Sequence, residues 1–165
     1  MILLRNTQRI VKVCTKTCKK DIAQLLALAQ YPDWDLGVHL SGDRFVRKLN
    51  AEFRGLDRPT DILSFPFHQA IRPGVLPAPV TDDDRNLGDM FIAMPFVQRY
   101  CGYEGETLEK RLPVLFCHGI FHMLGYDHQT DSEYEKMREK EEGVLAEFWK
   151  WKKVGENNGN GDIDA

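Results

Sequence analysis

The sequence lacks long hydrophobic runs, cysteine pairs and a large net charge, and each absence excludes a class of protein. No apolar stretch approaches the roughly 20 residues that a membrane-spanning helix needs. The four cysteines show neither Cys-x2-Cys pairs nor framework spacing, which argues against a cysteine zinc site or disulfide scaffold and favours a reducing compartment. A net charge of −3 over 165 residues does not argue for or against binding to nucleic acid.

The charge is unevenly distributed along the chain. The first twenty residues contain six basic and no acidic residues, whereas residues 155–165 contain three acidic and no basic residues. We predict one domain over residues 1–154 and a disordered acidic tail over residues 155–165. The basic start is typical of a mitochondrial targeting segment, so we predict a mitochondrial location, with the cytoplasm as the alternative.

Hydrophobic periodicity predicts strands mixed with helices that do not strictly alternate with them. This pattern is typical of an α+β fold, in which a small mixed sheet packs against helices. Strands are predicted at 2–13, 36–40, 60–67 and 87–94. Helices are predicted around 22–28, over 43–54, over 107–124 and over 133–152, and a short one is predicted to begin at Pro95. In the helix over 43–54, the side chains predicted to face inward are Phe45, Val46, Leu49 and Phe53. Residues 69–86 are predicted to form an exposed loop.

Three of the five histidines lie in the segment His118 to His128. His118 and His122 are four residues apart, so on a helix they share one face. Gly125 can end that helix in a left-handed conformation, and the reversal lets His128 supply a third nitrogen. Three imidazoles without a fourth protein ligand leave one position open on zinc, as in hydrolytic sites. We therefore predict a metal-dependent hydrolase that binds Zn²⁺, or another divalent transition metal, through these three histidines.

The same histidine spacing occurs in metzincin peptidases, which makes a peptidase the alternative. In those enzymes a glutamate follows the first histidine and acts as general base. This chain has Gly119 at that position, so a peptidase of this type would lack its proton acceptor.

A second motif extends from Asn50 to Pro66 as Asn-Ala-Glu-Phe-Arg-Gly-Leu-Asp-Arg-Pro-Thr-Asp-Ile-Leu-Ser-Phe-Pro. Together with the histidine segment and with Leu87-Gly88-Asp89, it closely resembles the YbeY family of endoribonucleases, which are ribosomal RNA maturation factors. The resemblance covers the chain from Arg5 to about Trp149. The opening Arg5-Asn6-Thr7-Gln8-Arg9 and the proline-bearing loop before Leu87 are most similar to the animal mitochondrial members.

This resemblance implies an α+β fold, a zinc-like ion on the three histidines and cleavage of single-stranded ribosomal RNA, with ribosomal small-subunit proteins as further partners. It also implies that Arg54 lies beside the metal and acts in cleavage together with His118, that Asp61 and Ser64 line the cleft, and that Thr60 holds the turn before them. The alternative from a different class is a non-catalytic ribosome-assembly factor whose metal is structural.

The roles of the remaining polar residues follow from their chemistry and position. The Arg54 guanidinium matches phosphate oxygens, although a structural salt bridge is the alternative. Asp127 adjoins His128 and is predicted to orient a ligand histidine, or else to stabilise a turn. We also predict that Arg44, Arg47 and Lys48 form a basic RNA track leading to Arg54, with a solvated charged face as the alternative.

Overall fold

The computed structural model describes residues 1–69 and 71–159 and confirms the predicted α+β class. Within these described residues, four strands form one mixed sheet and five α-helices pack against it. The elements in chain order are β1 (Ile2–Asn6), α1 (Thr15–Leu28), β2 (Asp35–Ser41), α2 (Asp43–Arg54), β3 (Ile62–Pro66), a short 3-10 helix (Asp82–Asp84), β4 (Asn86–Ala93), α3 (Met94–Glu104), α4 (Leu108–Met123) and α5 (Asp131–Gly159).

The strand order is β1-β2-β4-β3. β1, β2 and β4 are parallel, and β3 joins the edge antiparallel to β4. Gly88 makes this last pairing possible, because its φ of +124° is unfavourable for other residues and a Cβ there would lie 2.1 Å from the carbonyl oxygen of Phe65. The glycine of the Leu87-Gly88-Asp89 motif therefore sets where β3 approaches β4.

The main core lies between one face of the sheet and the helices α1, α4 and α5. Alternate strand residues point into it, and Val38, Leu40, Met90 and Ile92 are completely buried. α4 contacts β3 and β4 on one side and α1, α3 and α5 on the others. The helix that carries two of the histidines is therefore central, as predicted.

The opening strand is shorter than predicted, because β1 ends at Asn6 rather than near residue 13. The buried side chain of Gln8 accepts hydrogen bonds from the backbone N–H groups of Ile10 and Val11 and donates one to the carbonyl of Val11. This local ring of hydrogen bonds holds a turn where the strand would otherwise continue.

The prediction for the inner face of α2 was wrong at two positions. Phe45 is 48% exposed and Phe53 is 61% exposed, whereas Val46 and Asn50 are buried. α2 lies mainly over β3 and β4. Phe45 and Phe53 still contact Phe91 and Phe65 of the sheet, but each ring keeps one side open to solvent.

Of the two C-terminal helices, α4 agrees with its predicted range of 107–124, whereas α5 extends beyond its predicted end. α4 begins at Leu108; the sequence had left open whether Pro113 kinks this helix or marks its start, and the structure places Pro113 inside it. α5 continues to Gly159, five residues into the segment predicted as a disordered tail, and residues 160–165 lie outside the described part of the chain. Among the described helices, none is both long and apolar enough to cross a membrane.

Candidate metal centre

The fold brings His118, His122 and His128 together. His118 and His122 project from adjacent turns near the end of α4. Gly125 follows with a φ of +89°, and it packs so closely on Ile71 that a Cβ would lie 2.8 Å from the Cγ1 of that side chain. The chain turns here and returns His128 to the same point. One ring nitrogen from each histidine lies within 4.8 Å of the other two, so the group can bind a metal ion.

Two of the rings are oriented by hydrogen bonds to their outer nitrogens. His118 Nδ1 lies 2.7 Å from Glu141 Oε1, and His122 Nδ1 lies 3.1 Å from the carbonyl oxygen of Tyr126. The Nε2 atoms of His118 and His122 then point at each other across 3.0 Å. Acceptors on the outer nitrogens hold the inner lone pairs towards a metal, which is the usual support for ligand histidines.

His122 is in the protonation state that a metal requires. Burial, followed by the charges of His118 and His128, lowers the pKa of His122 to about 4, against smaller opposing effects of the Tyr126 carbonyl and the Asp127 carboxylate. The imidazole is therefore neutral at physiological pH. A neutral imidazole is the form that donates its lone pair to a transition metal.

The donor set matches a site with an open coordination position. Within residues 1–69 and 71–159, no other histidine, cysteine or carboxylate joins the three histidines. They line a cleft of about 610 Å³ that opens to solvent between the end of α4 and the edge strand β3. A structural zinc site usually has four protein ligands, whereas three ligands beside an open cleft leave room for water and substrate.

Arg54 lies in this cleft with the histidines. It is the last residue of α2, and Gly55 ends the helix in a left-handed conformation with a φ of +68°. The Arg54 side chain is exposed and forms no ion pair with any residue that the structure describes. This finding favours a ligand-binding guanidinium over a structural salt bridge.

The motif that follows Arg54 also contributes polar groups to the cleft. Thr60, Asp61 and Ser64 line it, in and just before β3. Asp61 Oδ1 accepts a hydrogen bond from the backbone N–H of Ile62 at 2.8 Å, and Oδ2 lies 3.9 Å from Arg111 Nη2. The Asp61 carboxylate therefore organises the entry to β3 as well as facing the cleft.

The structure separates the predicted basic track from the cleft. Arg44, Arg47 and Lys48 are not among the residues that line it. Both guanidinium contacts of Arg47 go to Asp57, at 2.8 and 3.1 Å, so its charge is balanced locally. Arg44 and Lys48 instead line a different groove, nearer the start of α2. Residues 44–54 make up eleven residues of α2. A helix of this length places Arg44 and Arg54 on different parts of the protein surface.

Asp127 makes the contact expected of a turn residue. Its Oδ1 accepts a hydrogen bond from the backbone N–H of His128 at 2.8 Å, and the side chain lines the cleft. The carboxylate that contacts a ligand ring is Glu141 of α5, which our sequence reasoning missed. One sequence signal was present: Glu141 lies four residues after the buried Met137 and seven before the buried Phe148, on the apolar side of the helix.

The position of Gly119 argues against the peptidase alternative. The residue is buried where α4 crosses the sheet, and a Cβ there would lie 2.8 Å from Met90 Cε and 3.1 Å from Ile62 Cδ1. A glutamate here would have to displace the ends of these two side chains, and it would bring a carboxylate into apolar surroundings. The helix therefore uses the residue after its first histidine for packing, not for proton transfer.

Comparisons with known proteins agree with this geometry. A family model described as Endoribonuclease YbeY matches residues 3–149. The chain is 33% identical over 147 residues to Endoribonuclease YbeY of Homo sapiens, covering 89% of this chain and 87% of that protein. It is 39% identical over 114 residues to Endoribonuclease YbeY of Desulforamulus reducens, covering 69% and 72% of the two chains.

A solved structure has the same fold. The solution structure of a Thermotoga maritima protein superimposes with a TM-score of 0.61 at 27% identity, covering 100% of this chain and 97% of the other. The family model matches most of the chain, and the human relative is more than 30% identical to it. These two findings establish the family of this chain. The chain belongs to the endoribonuclease YbeY family.

Proposed function

We propose that this protein is a metal-dependent endoribonuclease that cleaves single-stranded RNA, with His118, His122 and His128 as the metal ligands. The observation that carries the proposal is the convergence of three histidine nitrogens within 4.8 Å in a cleft that also holds Arg54. A cation beside an unpaired guanidinium forms a strongly positive site. The phosphodiester of an RNA strand is a substrate with matching charge.

We propose Zn²⁺ as the ion, because neutral imidazoles in a three-ligand site suit zinc, although they also accept other divalent transition metals. When bound, zinc lowers the pKa of its water and polarises a phosphoryl oxygen. The protein residues supply the rest of the arrangement. His118 is positioned by Glu141 and His122 by the Tyr126 carbonyl, so both ligands are held in place before the ion arrives.

Arg54 is proposed to bind the scissile phosphate. Its guanidinium can contact two phosphate oxygens at once and stabilises the extra negative charge that develops in the transition state. Ser64 lies on β3 in the same cleft, and its hydroxyl is proposed as a further substrate contact. His118 has a catalytic role through the ion that it holds, and Asp127 stabilises the turn that presents His128.

The carboxylates of the cleft show no dedicated general base. Asp61 and Asp127 each use a carboxylate oxygen to accept a backbone N–H, from Ile62 and His128 respectively. We propose water as the attacking group, with the 2′-hydroxyl of the RNA itself as the alternative. End-group analysis distinguishes them, because attack by the 2′-hydroxyl leaves a cyclic phosphate and attack by water does not.

We further propose ribosomal RNA as the substrate, ribosomal small-subunit proteins as partners and mitochondria as the compartment, with the cytoplasm as the alternative. The basic, acid-free first twenty residues support the mitochondrial location. Ile2–Asn6 also pairs with β2, so the same segment contributes to the fold. Fusing residues 1–20 to a fluorescent protein tests targeting without disturbing the sheet.

The decisive experiment is cleavage of a labelled single-stranded fragment of the ribosomal RNA 3′ end, with and without a metal chelator. The His122→Ala protein serves as the control for contaminating nuclease. We expect cleavage that the chelator abolishes, that added Zn²⁺ restores and that the His122→Ala protein lacks.

The opposite result also has a clear meaning. If the folded, metal-loaded protein leaves the RNA intact, the proposed catalytic function is wrong for the isolated chain. The non-catalytic assembly factor then becomes the better account, and cleavage of casein would instead support a peptidase.

A further inference from the structure

A second groove lies on the opposite face of the sheet from the main core. Val38 and Leu40 of β2 point into that core, so His39 between them points to the other face. Met90 of β4 faces α4, so Phe91 likewise faces away from it. The groove has a volume of about 610 Å³, shares no lining residue with the metal cleft, and is lined in part by Arg5, His39, Arg44, Phe45, Lys48 and Phe91.

The floor of this groove is aromatic. The ring of His39 stacks on Phe91 with centroids 4.4 Å apart and planes within 11° of parallel. Phe45 lies 5.8 Å from Phe91 and is 48% exposed, so one phenyl ring remains available to solvent. Aromatic rings on an open sheet are platforms on which single-stranded nucleic acids stack their bases.

The rim of the groove is positively charged. Arg5 comes from β1, and Arg44 and Lys48 are one turn apart on the same side of α2. All three are exposed, and none forms an ion pair with a residue in the described part of the chain.

Two of the nearby carboxylates are already engaged, whereas Glu52, one turn after Lys48 on α2, is exposed and forms no ion pair with a described residue. Asp89 contacts His39 at 2.8 Å, and Asp43 pairs with Arg99 and accepts the backbone N–H of Phe96. The rim therefore presents three cations that form no ion pair with a described residue, on a chain whose net charge is −3. Such a surface suits a polyanion that also has aromatic bases.

We propose that this groove is a second binding site for single-stranded RNA, in which a base stacks on Phe45 and phosphates contact Arg5, Arg44 and Lys48. The proposal rests on the proposed ribonuclease function and adds a site for nucleotides away from the cleaved bond. α2 connects the two sites, because Arg44 and Lys48 lie in its first half and Arg54 is its last residue. Ten residues of helix rise by about 15 Å, a distance that a few nucleotides can span.

The test measures RNA binding without cleavage. Fluorescence anisotropy of a labelled single-stranded RNA of about twenty nucleotides is recorded over a salt series, using the full-length protein in the His122→Ala background. The test variants are Phe45→Ala and the double variant Arg44→Ala/Lys48→Ala. Tyr103→Ala, at a residue that is 90% exposed, and Lys19→Ala/Lys20→Ala, at two exposed residues of α1, are the matched controls.

Each variant has its own expected signature. Phe45→Ala weakens binding by about fivefold or more, as loss of one base–aromatic stack does. Arg44→Ala/Lys48→Ala lowers the slope of log affinity against log salt by about 1.4, since each single-strand phosphate contact contributes about 0.7. The two control variants retain the affinity and the slope of the parent protein, and circular dichroism confirms that every variant is folded.

Unchanged affinity for Phe45→Ala together with an unchanged slope for the double variant overturns the proposal and makes a protein the better candidate for the groove. This failure is separate from failure of the ribonuclease function. The ribonuclease function is tested by RNA cleavage with the unmodified protein. The groove is tested by RNA affinity alone.

Discussion

The two faces of the sheet differ in how completely helices cover them. On one face, α1, α4 and α5 bury Val38, Leu40, Met90 and Ile92 completely. On the other face, α2 and α3 form a much smaller cluster around Val46, and the surface near β1 and β2 stays open. The three histidines lie at the margin of the covered face, where α4 ends.

This difference separates two physical requirements. A metal site needs ligands held within a fraction of an ångström, and the dense packing around α4 supplies that rigidity together with Glu141 from α5. Contact with a long, variable strand needs open surface and unpaired charge, which the less covered face provides. The variants below test whether metal binding depends on the packed face and RNA binding on the open face.

The largest expected effect is on the packed face. Gly119→Glu places a carboxylate against Met90 and Ile62, so we expect a loss of about 3 kcal/mol or more in the free energy of unfolding. Denaturant unfolding measures this loss. Gly102→Glu is the matched control, because nothing lies within 4 Å of a Cβ there, and its change should stay below about 1 kcal/mol. Equal stability of the two variants would show that the α4–sheet contact is looser than described.

Next in size is the effect of Arg54→Lys on cleavage. Lysine keeps the charge but loses the two-pronged contact with phosphate, so we expect kcat/KM to fall about a hundredfold with the metal content unchanged. Arg58→Lys, four positions along and also exposed, should cleave like the unmodified protein. Full activity of Arg54→Lys would remove this residue from the proposed mechanism.

A smaller effect is expected at Glu141, which acts through His118. Glu141→Ala removes the acceptor on Nδ1, and zinc affinity should fall by about tenfold to a hundredfold. A competition titration with a chromogenic chelator measures this without any cleavage assay. Glu142→Ala is the control, because the neighbouring side chain is exposed and pairs with Arg138. Identical zinc affinities for both variants would mean that Glu141 does not support the metal site.

The smallest effect is expected at Arg47, which was predicted as part of the RNA track. Its guanidinium is already paired with Asp57 and lies outside both grooves, so Arg47→Ala should change RNA cleavage by less than about twofold. Rates measured beside those of Arg54→Lys make the comparison direct. A loss as large as that of Arg54→Lys would restore the continuous track along α2.

Local sequence patterns predicted the fold class and the helical and strand segments well, and failed where several elements meet. Regular alternation and helical spacing identify β2, β4 and α4 because burial on one face imposes a period on the sequence. The same reasoning placed Phe45 and Phe53 inside, since it cannot tell how much of the sheet lies beneath α2. It also missed the end of β1, which depends on the side-chain hydrogen bonds of Gln8.

The sequence alone determined that His118, His122 and His128 would meet, because helix geometry places residues four apart on one face and Gly125 permits the return of the chain. These are local constraints of a few residues. The place of Arg54 beside the metal was implied by the family resemblance and by no local pattern. Only the tertiary structure decided that Glu141 supports His118 across 23 positions and that Arg44 and Lys48 join Arg5 in a separate groove. Contacts between distant elements depend on how helices pack on the sheet, and no short segment of sequence contains that information.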